Sequence, residues 1–289
     1  MRRRRPGHGH DRRAVELSRS LELPVEGGHL YVEEHGAGRT PLLLIAGLGY
    51  SMWSWRYQLS VFGDRRRTIA FDNRGTGRSS LKPGPFSMEQ FADDAVAVLD
   101  ALGIASAHVL GMSMGTFVAQ VLALRAPERV RSLVLSGGGP GGPEHAPIPA
   151  ETLEAWLESS QLPPPEFVLQ TMHLSFSPGW SEANPERHRE LAAARLEHPT
   201  PPECWQAQFS AAGRFLQDGA PVEAIRVPVL VVHGDADRVV PLSNGQLLAR
   251  RIPGAELVVL AGRGHVAHLE SPGEFNALVE AFLERIEAQ

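Results

Sequence analysis

The pentapeptide Gly111-Met-Ser-Met-Gly115 sets one hydroxyl between two glycines. Serine alone is a weak nucleophile, so chemistry at Ser113 calls for a base within hydrogen-bond reach and a third group that orients the base. Two stretches near the C-terminus supply those residue types. His233-Gly-Asp-Ala-Asp-Arg-Val-Val-Pro241 offers Asp235 and Asp237, and Gly262-Arg-Gly-His-Val-Ala-His-Leu-Glu270 offers His265 and His268. Each stretch holds one candidate too many. His265 directly follows Gly264 at a loop tip and is free to swing towards a sheet edge, whereas His268 reads as a hydrogen-bonded structural or pocket-wall residue. A hydroxyl, an imidazole and a carboxylate in this set are the parts of acyl transfer.

Such parts work only if separate elements hold them at one place. Ser113 lies where the apolar strand His108–Leu110 turns into a helix from about Met114 to Arg125, the strand–turn–helix context that a G-x-S-x-G motif requires. The turn excludes bulk at Gly111 and Gly115 and aims the Met114 amide, at a helix start, towards developing negative charge. Upstream, Leu21–Val25 and Leu30–Glu34 flank a Glu26-Gly-Gly-His29 turn and predict a hairpin. Leu42–Ala46, Thr68–Phe71 and Ser132–Leu135 are short apolar runs without alternation, as expected of strands buried on both faces of a parallel sheet. Ser87 opens a helix whose Phe91, Ala95, Val98, Leu99 and Leu102 recur at helical spacing before Gly103. The strand–helix rhythm resumes with strands Val229–His233 and Glu256–Leu260 and helices near Ser243–Ile252 and Gly273–Ile286. This order predicts an α/β fold with parallel core strands.

Between the two halves the rhythm breaks. Ser136-Gly-Gly-Gly-Pro-Gly-Gly-Pro143 lacks the helix that a phosphate-cradling loop would need, and reads as a hinge. Residues 144–221 then combine prolines, acids and large apolar side chains, a small helical insertion. The expected organisation is a basic tail (1–17), a first core part (18–143), a helical cap (144–221) and a second core part (222–289).

Composition narrows the function further. The 289 residues carry a net charge of −5, but six arginines against one acid give residues 1–13 a charge of +5, leaving −10 on the rest. An acidic body is a poor nucleic-acid binder, and none is expected as a partner. The Arg2–Arg5 run is followed by polar residues, not the apolar stretch of an export signal, and His8 and His10 on a glycine-rich arm do not make a closed metal site. A single cysteine, Cys204, excludes an intrachain disulfide. No apolar run approaches the ~20 residues of a membrane span, so a cytoplasmic protein without membrane association is expected, monomeric or homodimeric.

These stretches resemble the α/β-hydrolase superfamily, in particular 3-oxoadipate enol-lactonases and related small-molecule esterases. The matching segments are Leu42–Gly49, Phe71–Ser79, His108–Gly115, Arg129–Leu135, Gly234–Pro241 and Gly264–Pro272. The resemblance implies the α/β-hydrolase fold, a mostly parallel β-sheet flanked by helices and interrupted by the cap. It implies a serine hydrolase that cleaves an ester or lactone of a small, fairly hydrophobic molecule without metal or organic cofactor. The family's G-x-x-D-x-x-x-P pattern falls on Gly234, Asp237 and Pro241, which makes Asp237 the acid beside His265 and Ser113. The second oxyanion donor falls on the Leu48 amide, in Ala46-Gly-Leu-Gly49, where Ala46 replaces a frequent histidine. Thr116 stands where glycine is frequent and brings crowding or a hydroxyl to the elbow. Asp72 and Arg74 belong to a loop-building segment. Trp53, Trp156, Phe176, Trp180 and Val239 are expected to contact substrate. The same residues would also serve a C–C bond hydrolase or a perhydrolase, and a non-catalytic hydrolase-fold ligand-binding protein is a further alternative.

Overall fold

A computed structural model describes residues 17–38, 40–82 and 84–289. The chain opens with strands β1 (Leu17–Val25) and β2 (Gly28–His35), an antiparallel hairpin in which Val25 faces Gly28 across a turn with Gly27 at φ +90°. The hairpin starts four residues earlier than the apolar alternation predicts, because Leu17 and Arg19 still pair with β2. Leu17 therefore belongs to the sheet and not to the tail; the Arg-rich stretch with His8 and His10 lies outside the described residues. Next come β3 (Leu42–Ile45), α1 (Arg56–Gly63), β4 (Thr68–Phe71), the two-residue β5 (Ser80–Leu81), α2 (Met88–Ala101), β6 (Ala107–Met112), α3 (Met114–Arg125) and β7 (Val130–Ser136). Five helices follow: α4 (Ala150–Ser159), α5 (Pro164–Thr171), α6 (Trp180–Ala183), α7 (Pro185–Glu197) and α8 (Pro202–Asp218). The core closes with β8 (Val229–Gly234), α9 (Leu242–Arg251), β9 (Glu256–Leu260), α10 (Ala267–Glu270) and α11 (Pro272–Glu287).

The nine strands form one sheet in the order β1-β2-β4-β3-β6-β7-β8-β9, with β5 paired to β2. From β4 to β9 every neighbouring pair is parallel. All four residues of β3 are buried, yet they serve two cores: Leu43 and Ile45 pack on one face, Leu42 and Leu44 on the other. A strand covered on both sides needs no polar face, which is why these runs are continuously apolar. α2 and α3 cover the first face, through Phe91, Val98, Leu99 and Val118; α1 and α11 cover the second, through Phe62, Phe275, Phe282 and Leu283. The segment between β7 and β8 joins both cores, with Phe215 in the first and Phe176 and Leu191 in the second.

The strand order decides where a site can form. The chain leaves β3 for β4 on one side and later returns to β6 on the other, so β3 and β6 are neighbours whose following loops diverge. Such a switch point opens a crevice at the carboxyl ends of the strands. Ile45 and Gly111 are register partners there, which brings Leu48 and Ser113 into one neighbourhood.

Candidate active site

The elbow is strained, and its neighbours show why. Ser113 has φ 54° and ψ −120°, and it is the one non-glycine residue with positive φ among the described residues. Conformations of this kind cost on the order of 1–3 kcal/mol and persist only where the surroundings enforce them. A Cβ on Gly111 would sit 2.3 Å from the Gly115 carbonyl oxygen, and one on Gly115 would sit 2.1 Å from that of Ile45. Two donors hold the Ser113 carbonyl: the Thr116 amide at 2.8 Å and the Thr116 hydroxyl at 2.7 Å. The Ser113 amide donates to Ser136 O at 2.9 Å, tying the elbow to the end of β7. Thr116 therefore contributes its hydroxyl to the turn, and the crowding it causes is accepted elsewhere. A Cβ on Gly138 would meet Thr116 Oγ1 at 1.9 Å, and one on Gly137 would meet His265 Nδ1 at 3.2 Å. The glycine run predicted as a hinge is thus needed for close approach to the elbow and to His265.

His265 Nδ1 lies 2.8 Å from Asp237 Oδ2, and both groups are buried. The other Asp237 oxygen accepts the Val239 and Val240 amides, both at 2.8 Å. Burial pushes the Asp237 carboxyl up, but the attraction of His265 and hydrogen bonds from His233 and His265 outweigh it and hold the group well below the usual carboxylate range. An ionised acceptor there fixes the imidazole proton on Nδ1 and leaves Nε2 as the basic nitrogen. Asp235, by contrast, is exposed and accepts the Gly262 amide at 2.6 Å. His268 is fully buried beside Trp55, 4.9 Å between ring centres, with no partner at either ring nitrogen among the described residues. Burial and the nearby His265 push it down to about 3, so it stays neutral and apolar in effect.

The loop after β3 carries the Leu48 amide. Among the described residues neither this amide nor that of Met114 meets an internal acceptor, so both remain available at the crevice. The loop is braced without a histidine at position 46. Asn73 Nδ2 donates to Ala46 O at 3.0 Å, and the buried Gln208 of α8 accepts the Gly49 amide at 2.9 Å while donating to Arg74 O at 2.9 Å. Asp72 accepts the Met52 and Arg78 amides at 2.7 and 2.8 Å, and Arg74 pairs with Asp94 through two bonds of 2.6 and 2.7 Å. Both charged residues build the loop.

Ser113, Met114, Leu48 and His265 face one cavity, with room of about 110 Å³ for the centres of water-sized atoms. Residues 40–272 match the family model for the alpha/beta hydrolase fold. The chain belongs to that family. It is 34% identical over 260 residues to a protein assigned as the carbamate hydrolase RutD of Azorhizobium caulinodans, covering 89% of this chain and 96% of that one. It is 31% identical over 261 residues to 3-oxoadipate enol-lactonase 2 of Acinetobacter baylyi, covering 86% and 90%. Among solved structures it is similar to Est816, described as an N-acyl homoserine lactone degrading enzyme, with a TM-score of 0.75, 29% identity and coverage of 91% and 100%.

In this α/β-hydrolase the helical segment between β7 and β8 lines the cavity with other aromatics than the sequence predicts. Trp156 and Val239 line it. Trp53, Phe176 and Trp180 do not: Trp53 stacks behind Tyr50 at 5.0 Å, and Phe176 stacks on Trp180 at 4.2 Å within the second core. Phe167, Trp205 and Phe209 take their place, with Trp205 and Phe209 stacked 5.1 Å apart on one face of α8. Their spacing of four residues was the available signal, and it also marks Gln208 and Ala212 on the same side. Glu270 was missed altogether. It is buried, accepts a hydrogen bond from the Gly264 amide at 2.7 Å and one from the Ser177 hydroxyl, and so fastens the His265 loop to the segment between β7 and β8. No helix among the described residues is long and apolar enough to cross a membrane.

Proposed function

We propose that this α/β-hydrolase is a serine hydrolase that cleaves a carboxylic ester or lactone of a small, largely apolar molecule through an acyl-enzyme on Ser113. The observation that carries the reading is the convergence on one cavity of a strained serine, an Asp237-bound imidazole and two unoccupied backbone amides. In the proposed cycle His265 Nε2 takes the Ser113 proton as Oγ attacks the carbonyl carbon. The Leu48 and Met114 amides donate to the oxyanion; a donor of this kind is worth about 2.7–4 kcal/mol of barrier. His265 then returns the proton to the leaving oxygen. Water, activated by the same nitrogen, attacks the acyl carbon and restores Ser113 while the acid departs. Asp237 holds the tautomer and balances the transient imidazolium. The aromatic walls favour an apolar acyl or ring portion, and the limited room favours a small molecule.

The test is covalent labelling by a fluorophosphonate probe together with hydrolysis of p-nitrophenyl acetate and butyrate and of a lactone panel. The expected result is a label that disappears in Ser113→Ala and turnover on esters or lactones. An unlabelled wild-type protein, or turnover confined to carbon–carbon cleavage of a vinylogous diketone, would overturn the proposal.

A further inference from the structure

Arg195, near the end of α7, is 8% exposed, yet among the described residues it has no carboxylate in ion-pair range and donates to no acceptor. Other arginines with little exposure do not share this isolation. Arg66 is paired with Glu280 and Glu287, Arg74 with Asp94, and Arg187 donates to Leu269 O. The Arg195 guanidinium instead lies over the Tyr50 ring at 4.7 Å and near the Phe167 ring at 5.8 Å, and it lines the same cavity as Ser113 and His265. Arginine keeps its proton in proteins, so this is a lasting positive charge held in an apolar wall. A buried charge without a counter-charge is costly, and ring faces offset only part of that.

We propose that Arg195 recognises a carboxylate carried by the substrate, so that the molecule cleaved has an apolar body and one anionic end. Three features favour a carboxylate. The guanidinium is a planar fork that matches a carboxylate's two oxygens. One buried cation neutralises one negative charge, whereas a phosphate dianion would leave a charge stranded among Phe167, Trp205 and Tyr50. Tyr50 also lies two residues beyond Leu48, so the paired carboxylate sits near the oxyanion loop. This inference rests on the acyl-enzyme reading for its geometry but not for its test.

The experiment compares esters that differ only in charge. One pair carries the group on the acyl side, p-nitrophenyl hydrogen adipate against its neutral terminal amide. The other carries it on the leaving side, 4-acetoxyphenylacetate against 4-acetoxyphenylacetamide. The wild-type protein is expected to favour the anionic member of one pair by about 10- to 100-fold in kcat/KM. That ratio should fall to near one in Arg195→Met and keep part of its value in Arg195→Lys. A merely structural arginine would lower both members and leave the ratio intact. A wild-type ratio near one for both pairs overturns the inference even if neither variant folds, and so does a ratio unchanged in Arg195→Met. Calorimetric titration of Ser113→Ala with monomethyl adipate and with 4-hydroxyphenylacetate separates the two readings. Binding that is lost in the Arg195→Met background, with no fluorophosphonate label on wild type, would sustain the carboxylate site and sink the acyl-enzyme. A label without charge preference would do the reverse.

Discussion

Arg66, before β4, and Arg195, over the opposite edge of the sheet, are both buried arginines with contrasting surroundings. Arg66 is 1% exposed and donates to Glu280 at 2.8 and 3.3 Å and to Glu287 at 2.6 Å. Nearby, His108 pairs with Ser132 Oγ at 2.7 Å and Arg67 with Glu34 at 2.6 Å. At this amino edge each of these side chains has a carboxylate or hydroxyl partner. At the carboxyl edge His265 pairs with Asp237 and Arg74 with Asp94, but the Leu48 and Met114 amides and the Arg195 guanidinium stay open among the described residues. The difference teaches that a buried arginine with carboxylate partners serves stability, whereas one left without an acceptor beside a cavity is placed for a ligand, because an unfilled buried donor is costly until something fills it.

Substitutions at the two edges should therefore separate turnover from stability. The largest effect belongs to Ser113→Ala, expected to lower kcat/KM on p-nitrophenyl butyrate about a millionfold while the protein stays folded. Asp237→Asn should cost about 10⁴-fold through the wrong imidazole tautomer, whereas Asp235→Asn should stay within about threefold; the reverse ranking would exchange their assignments. Across the sheet, Glu280→Gln leaves the Arg66 charge partly unpaired and should cost about 3 kcal/mol in denaturant unfolding. Its kcat/KM per folded molecule should match wild type, and a large loss there would dissolve the contrast between the edges. Gln208→Leu removes the brace on the Gly49 amide, and an oxyanion loop left looser should lose about tenfold in kcat with little change in KM.

The effect that leaves the comparison of the two edges untouched is the pH dependence of stability. Burial pushes His108 and His145 down to about 4, and burial with His265 nearby pushes His268 down to about 3. These imidazoles stay neutral in the folded protein but take up protons in the unfolded chain below about pH 6.5. Their contribution is therefore complete above that pH and is lost as the pH falls towards 4. The Tm should drop by about 10 °C between pH 7 and 5, and His268→Leu should flatten the slope. A Tm that is constant across this window would show that these groups are not held neutral.

Much of this was legible beforehand because short-range rules wrote it. Full burial on both faces made β3, Ile69–Phe71 of β4 and Val229–Val232 of β8 continuously apolar, and Ser87 with Gln90 forms the capping box that starts α2. The elbow was legible because its glycines are required by contacts within four residues or with the adjacent strand. The cap aromatics were misread because composition says that a segment is rich in rings, not which way each turns. Phe176 and Trp180 face the second core, while Trp205 and Phe209 face the cavity. α1 went unpredicted because its buried Gln58, Leu59 and Phe62 are too few for a helical period to stand out in eight residues.

By itself the sequence determined the strand–helix order, the strained serine turn and the two loops bearing Asp237 and His265, since sterics and periodicity act between near neighbours. Only the tertiary structure decided the partnerships: Gln208 with Gly49 across 159 positions, Glu270 with Ser177, and a buried arginine that among the described residues meets ring faces but no acceptor. Whether a polar group is satisfied depends on what the fold brings to it from far along the chain, and no local pattern records that.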